Sequence, residues 1–121
     1  ESLALSYRAV AGELASLRGR PASRIHIAGG GSRNQLLNQL AADACELPVR
    51  TGPVETSALG NACVQLIGLG ALSSLDAARA LIRRSFAAQD YQPQTPVPDH
   101  ALERFASFHP RPHAAGSAAT A

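Results

Sequence analysis

An α/β layered fold follows from three features of this 121-residue sequence. Leu3, Tyr7, Val10, Leu14 and Leu17 recur at three- and four-residue spacing, the stripe of an amphipathic helix over 2–18. The run Arg24-Ile25-His26-Ile27-Ala28 alternates, with β-branched Ile25 and Ile27 on one face, and predicts a strand. That run enters three consecutive glycines, Gly29, Gly30 and Gly31, and then passes into the helical pattern Ser32-Arg33-Asn34-Gln35-Leu36-Leu37.

Each element has its own local cause. Gly19-Arg20-Pro21 ends the first helix. Ser32 with Gln35 three residues later matches a capping box, so the second helix is expected to begin at Ser32. Its apolar row is Leu36, Leu40 and Ala44, flanked by Leu37 and Ala41, with Asn38, Gln39 and Asp43 expected to face out. Residues 46–50 predict a short strand, broken by Thr51-Gly52-Pro53. A third helix is expected over about 56–69, with Leu59, Cys63, Leu66 and Ile67 apolar. Gly60 within it costs about 1 kcal/mol relative to Ala, which predicts close packing at that point. A fourth helix is expected over about 74–86, capped by Ser73 or Ser74, with Asp76 in its first turn and Arg83 and Arg84 complementing the dipole at its end.

Prolines keep 91–98 extended, and a short helix is expected over about 99–108. The predicted order is α-β-α-β-α-α, one domain over 1–108, followed by a low-complexity tail, 109–121, expected to be disordered. The chain begins with Glu1 in mid-helix pattern, as a piece of a longer polypeptide would.

Composition excludes several classes. A net charge of +2 is too small to argue for nucleic acid. Every cation is Arg, so a phosphate loop built around a lysine is excluded. The apolar runs are too short for a membrane span, and no basic segment opens the chain as a secretory signal. Cys45 and Cys63 both fall in helical patterns as small buried side chains; without a disulfide framework the chain is expected to be cytoplasmic. His109 and His113 flank Pro-Arg-Pro without further ligands, so no metal site is expected there. His26, Glu13, Asp43, Glu46 and Asp76 are expected on sheet or helix surfaces.

A strand, a glycine-only turn and a helix start together favour an anion, because the backbone can approach closely and free N–H groups point at it. Three readings compete. The turn could carry no ligand at all. It could belong to a dinucleotide fingerprint, but Asn34 stands where the third glycine belongs. The next strand ends with Arg50 instead of an acid, so only a 2′-phosphate (NADP) version survives. The third is a nucleotide site of the actin-like kinase type. The block from Ile25 through Gly29-Gly30-Gly31-Ser32-Arg33-Asn34 to Cys45, followed by Gly52-Pro53-Val54-Glu55-Thr56-Ser57-Ala58-Leu59-Gly60-Asn61, resembles the C-terminal portion of FGGY-family carbohydrate kinases. The opening residues 1–8 and the stretch 36–40 favour resemblance to a different member of that family over its glycerol and xylulose kinases, and the resemblance covers about residues 1–92.

The resemblance implies part of an actin-like (ribonuclease H-like) ATPase domain that closes over ATP, with the sugar mainly on the preceding half. Gly30, helped by Gly29 and Gly31, would lie against the phosphates, and Asn34 would reach toward the adenosine. Small residues Ala58, Gly60 and Ala62 would pack behind the turn. Some relatives carry two cysteines four apart after the glycines; here position 41 is Ala, so only Cys45 remains. Phosphoryl transfer needs a positioned base and Mg²⁺. The family's catalytic Asp lies upstream of anything matched here, and its threonine turn is likewise absent. The segment is expected to hold no catalytic residue and to be inactive alone, or else to be a non-catalytic binding module.

Overall fold

A computed structural model describes residues 2–108. The expected tail over 109–121, with His109 and His113, lies outside the described residues. The elements are α1 (Ser2–Arg18), β1 (Ile25–Ile27), a 3-10 turn (Gly30–Arg33), α2 (Gln35–Cys45), β2 (Val49–Thr51), α3 (Thr56–Gly68), α4 (Leu75–Ser85), β3 (Asp90–Tyr91) and α5 (Asp99–Phe108). The sheet order is β1-β2-β3. β1 and β2 are parallel, pairing Ile25 with Val49 and Ile27 with Thr51, and β3 runs antiparallel to β2. The short strand β3 joins the stretch that its prolines mark as extended.

α2 is the centre of the fold because it is covered on two sides. Ala44 packs with Ala4 and Leu5 of α1, joined by Leu37, Leu40, Val97, Leu102 and Phe105. Ala41 and Ala42 pack on Val49 of β2, joined by Tyr7, Ile25, Ile27 and Tyr91. Alanines at the contacts let both layers approach closely.

This two-sided burial shifts the phase expected for α2. Leu40, Ala44, Leu37 and Ala41 face inward as expected, but Leu36 is 70% exposed. Asn38 and Asp43, expected outside, are 0% and 8% exposed. Both are held inside by hydrogen bonds to backbone, which offset the cost of burying them. α1 departs from its stripe in the same way. Its Ala4 and Leu5 side is buried, while Leu3, Val10, Leu14 and Leu17 remain exposed with no covering element among the described residues.

The start of α2 is also displaced. Ser32 lies in the 3-10 turn instead of capping the helix, and Asn34 is the cap, its Oδ1 accepting the Leu37 N–H at 3.0 Å. The tight turn uses Gly30–Arg33 before α-helical geometry begins. α2 ends at Glu46, whose left-handed φ of 54° makes residues 46–47 a helix stop and delays β2 to Val49. Ser74 caps α4 by accepting the Ala77 N–H at 3.2 Å.

The expected close packing at Gly60 is absent among the described residues. A Cβ built there meets nothing within 4 Å, because that face of α3 is uncovered. Without a contact to preserve, Gly60→Ala removes only the entropic penalty of a helical glycine. Unfolding in denaturant is expected to show a gain of about 0.5–1 kcal/mol. A loss would mean that Gly60 faces a packed neighbour in the folded protein.

Candidate functional site

The carboxyl ends of parallel strands β1 and β2 lie side by side, and the loops leaving them, 28–34 and 52–55, meet there. Crevices outside the carboxyl ends of strands are where open α/β sheets place ligands. Gly52 sets the spacing of the two loops. Its N–H donates to the Ile27 carbonyl at 2.8 Å, and an added Cβ would come within 3.2 Å of the Ala28 Cβ.

Gly29 turns the chain with φ 79° and ψ −162°, a combination open to glycine and almost no other residue. Its N–H is shared between the Pro53 carbonyl at 2.9 Å and Thr56 Oγ1 at 3.1 Å. The Thr56 hydroxyl itself donates to Pro53 O at 2.7 Å, so the start of α3 is tied to the turn. The Gly29 carbonyl is drawn back by the Ser32 N–H at 3.0 Å and the Ser32 hydroxyl at 2.7 Å. Asn38 Nδ2 then holds the Ser32 carbonyl at 3.0 Å.

The turn is therefore polarised. Its Gly29, Gly31 and Ser32 carbonyls are taken up by hydrogen bonds, while among the described residues the Gly30 and Gly31 N–H groups have no acceptor. Gly30 is exposed, and space for an added Cβ is open on its outer side. Gly31 would place a Cβ 3.6 Å from Ile27 Cγ2, an ordinary contact. Gln35 and Leu36 contribute the first free N–H groups of α2, and neither α2 nor α3 carries an acid in its first turn. The only carboxylate in the two loops is Glu55, exposed and making no capping bond. Converging N–H dipoles of this kind favour an anion over a cation.

Gly29, Gly30, Gly31 and Asn34 are thus brought together at one edge. Asn34 spends its oxygen on the α2 cap and keeps its exposed Nδ2 donors available. Ala58, Gly60, Asn61 and Ala62 do not pack behind the turn; they are exposed on α3, and Thr56 and Gly52 make the connection instead. Sequence reading missed Thr56, Asn38 and the linking role of Ser32. The spacing of Asn38 one helical turn beyond Asn34 was the available clue, but a polar residue at that spacing equally suits a solvated face.

Arg50 does not serve the turn. It lies opposite Asp90 across β2 and β3, with its Nε 3.9 Å from the carboxylate. Both cysteines are free, Cys63 buried and Cys45 half-buried. Burial pushes the Cys45 thiol above its ordinary pKa, an effect that the nearby Arg8 charge opposes without cancelling. A protonated thiol is a poor nucleophile. Among the described residues, no group of three or more His, Cys, Asp or Glu side chains is gathered for a metal. Among them, too, no helix is long and apolar enough to cross a membrane.

Comparison with known proteins gives this geometry its context. Residues 1–69 match the FGGY family of carbohydrate kinases, C-terminal domain. The chain is 48% identical over 112 residues to a rhamnulokinase of Klebsiella pneumoniae strain 342, covering 92% of this chain and 22% of that protein. It is 53% identical over 93 residues to a rhamnulokinase of Yersinia pestis strain Pestoides F, covering 77% of this chain and 19% of that one. Among solved structures it resembles the xylulose kinase from Rhodospirillum rubrum, with a TM-score of 0.53 and 25% identity over 89% of this chain and 23% of the kinase. The chain thus spans about a fifth of the length of the curated relatives it matches. A strand, a glycine turn and a capped helix, matched together with the helix before them over residues 1–69, place the chain in the FGGY family of carbohydrate kinases, within its C-terminal domain.

Proposed function

We propose that residues 1–108 form the C-terminal part of the nucleotide-binding domain of an ATP-dependent sugar kinase, and that 109–121 is a tail. The parent enzyme phosphorylates L-rhamnulose to L-rhamnulose 1-phosphate. The observation that carries this reading is the polarised turn, whose Gly30 and Gly31 N–H groups are free among the described residues, with open space at Gly30, while its Gly29, Gly31 and Ser32 carbonyls are already hydrogen-bonded. Those donors suit phosphate oxygens, and the exposed Asn34 Nδ2 suits a purine or ribose acceptor. ATP supplies the transferred phosphoryl group. Mg²⁺, which membership of the family implies, would be held by the phosphates and by residues outside this segment, which would also supply the catalytic base. The sugar identity is supported by the rhamnulokinase relatives. Free cysteines and the nature of the reaction suit the cytoplasm. The role of a non-catalytic nucleotide-binding module remains the outcome if the gene product turns nothing over.

The test is made on the full-length gene product, with ATP-dependent phosphorylation measured over a panel of ketoses and their kinase-type analogues. L-rhamnulose is expected to give the highest kcat/KM; a preference for xylulose would assign a different member of the family. Gly30→Val fills the open space before the turn without a contact in the folded protein. It is expected to leave unfolding unchanged and to raise KM for ATP by about tenfold or more, the loss of one charge-assisted hydrogen bond. An unchanged KM for ATP would show that the nucleotide lies elsewhere.

A further inference from the structure

We propose that Asn38 is a positioning residue for the nucleotide-facing turn, acting through Ser32 to keep the Gly30 and Gly31 N–H groups turned outward. This rests on the assignment of the glycine turn to ATP.

Asn38 makes one side-chain hydrogen bond, from Nδ2 to the Ser32 carbonyl at 3.0 Å. That carbonyl sits where the 3-10 turn gives way to α2, so no backbone N–H of the following turn reaches it. Asn38 supplies the donor that this break in helix geometry withholds. Ser32 in turn holds the Gly29 carbonyl twice, through its N–H and its hydroxyl. The chain of contacts therefore runs from the buried interior of α2 to the residue immediately before the free N–H groups. If the Ser32 carbonyl were released, its peptide could rotate toward the mouth of the site and present an oxygen where the turn now presents donors.

A second observation separates this role from ordinary core packing. The side chain is fully buried, yet its Oδ1 has no partner among the described residues. An orphaned buried acceptor destabilises a fold, and an apolar residue of similar volume would avoid it. Stability alone gives no reason for an amide at this position; orientation of the Ser32 peptide does. Asp43, the other buried polar side chain of α2, has its oxygen occupied and serves a different segment.

The experiment uses the full-length gene product and three variants. Asn38→Leu keeps the volume and removes both the donor and the orphan. KM for ATP is expected to rise about tenfold while KM for the sugar stays within about twofold. The unfolding midpoint is expected to fall little, since the orphan is removed with the bond. A fall in stability with KM for ATP unchanged would overturn the proposal, as would equal rises in both KM values. Ser32→Ala removes only the hydroxyl bond to Gly29 O and keeps the test alive if Asn38→Leu does not fold; here an unchanged KM for ATP overturns it. Gly30→Val separates the two layers of inference. If it raises KM for ATP and the Asn38 and Ser32 variants do not, positioning fails alone; if none of the three does, the nucleotide assignment fails with it.

Discussion

Asp43→Ala is expected to cost the fold about 1–2 kcal/mol, because it removes the acceptor of two part-buried backbone hydrogen bonds that tie a distant segment to α2. Asp43 Oδ1 accepts the Gln94 N–H at 2.7 Å, the Thr95 N–H at 3.3 Å and the Gln39 amide at 2.9 Å. Gln39 Nε2 reaches on to the Gln92 carbonyl at 2.8 Å. The segment they hold contains Pro93, Pro96 and Pro98, which cannot donate to a sheet ladder. It therefore depends on this carboxylate for its attachment to α2. Val97, in the same segment, packs on the Ala4, Leu5 and Ala44 cluster, so detachment would also uncover part of the core. Amide exchange at Gln94 and Thr95 should quicken together with the loss of stability. A change below about 0.5 kcal/mol would refute the anchoring role. Asp43→Asn retains an acceptor oxygen and should recover most of the loss.

The same carboxylate sets an acid limit. Burial, its largest single influence, raises its pKa. The Gln94 N–H, the Gln39 amide and the Thr95 N–H together outweigh that and hold the pKa below the ordinary carboxyl value. A group with a depressed folded pKa adds stability that is fully present above its unfolded pKa of about 3.9. That stability is lost as pH falls through the lower, folded value. Wild-type protein should therefore lose stability more steeply below about pH 4 than Asp43→Asn does, as denaturant titrations at stepped pH would show.

Asp43 also shows how far the sequence could be read. Element positions were legible because caps, prolines and glycines act locally: Ser74 caps α4, and Ile25 and Ile27 make β1. The inward face of α2 was legible only in part. Leu37, Leu40, Ala41 and Ala44 face in as the spacing predicts, but the second covered side adds Ala42, Asn38 and Asp43, which a single apolar stripe does not encode. Leu36 lies outside and Asn38 and Asp43 inside, where backbone satisfies them: the adjacent turn at Ser32 for Asn38 and the distant 94–95 segment for Asp43. The exposed stripe of α1 and the open side of Gly60 share another cause. A residue's burial depends on every element that covers it, and no described element covers either one. At the site, the glycines announced themselves because their requirement is conformational. Thr56 did not, because its contact with Gly29 crosses 27 residues and no local pattern encodes it.

Gly29→Ala is expected to be the most damaging single methyl in the turn, costing about 2–3 kcal/mol of stability and about a hundredfold in ATP affinity. The penalty is torsional. An added Cβ would lie 3.9 Å from the Val54 carbonyl, which is ordinary contact, but φ 79° with ψ −162° is a region that residues with a Cβ scarcely enter. The backbone can relieve that strain only by rotating. Rotation moves the Gly29 N–H away from Pro53 O and Thr56 Oγ1 and the Gly29 carbonyl away from Ser32, which undoes both attachments of the turn at once. The free N–H groups of Gly30 and Gly31 follow the peptide that precedes them, so the anion loses donors it would otherwise meet in place. Gly31→Ala provides the contrast, since its Cβ meets Ile27 Cγ2 at 3.6 Å and no positive φ is required there. It should leave stability within about 1 kcal/mol of wild type. Calorimetric titration of ATP into the full-length gene product, beside denaturant unfolding of both variants, measures the two effects. Equal stability of Gly29→Ala and Gly31→Ala would mean that the turn carries no conformational demand, and that the glycines answer to the ligand's approach alone.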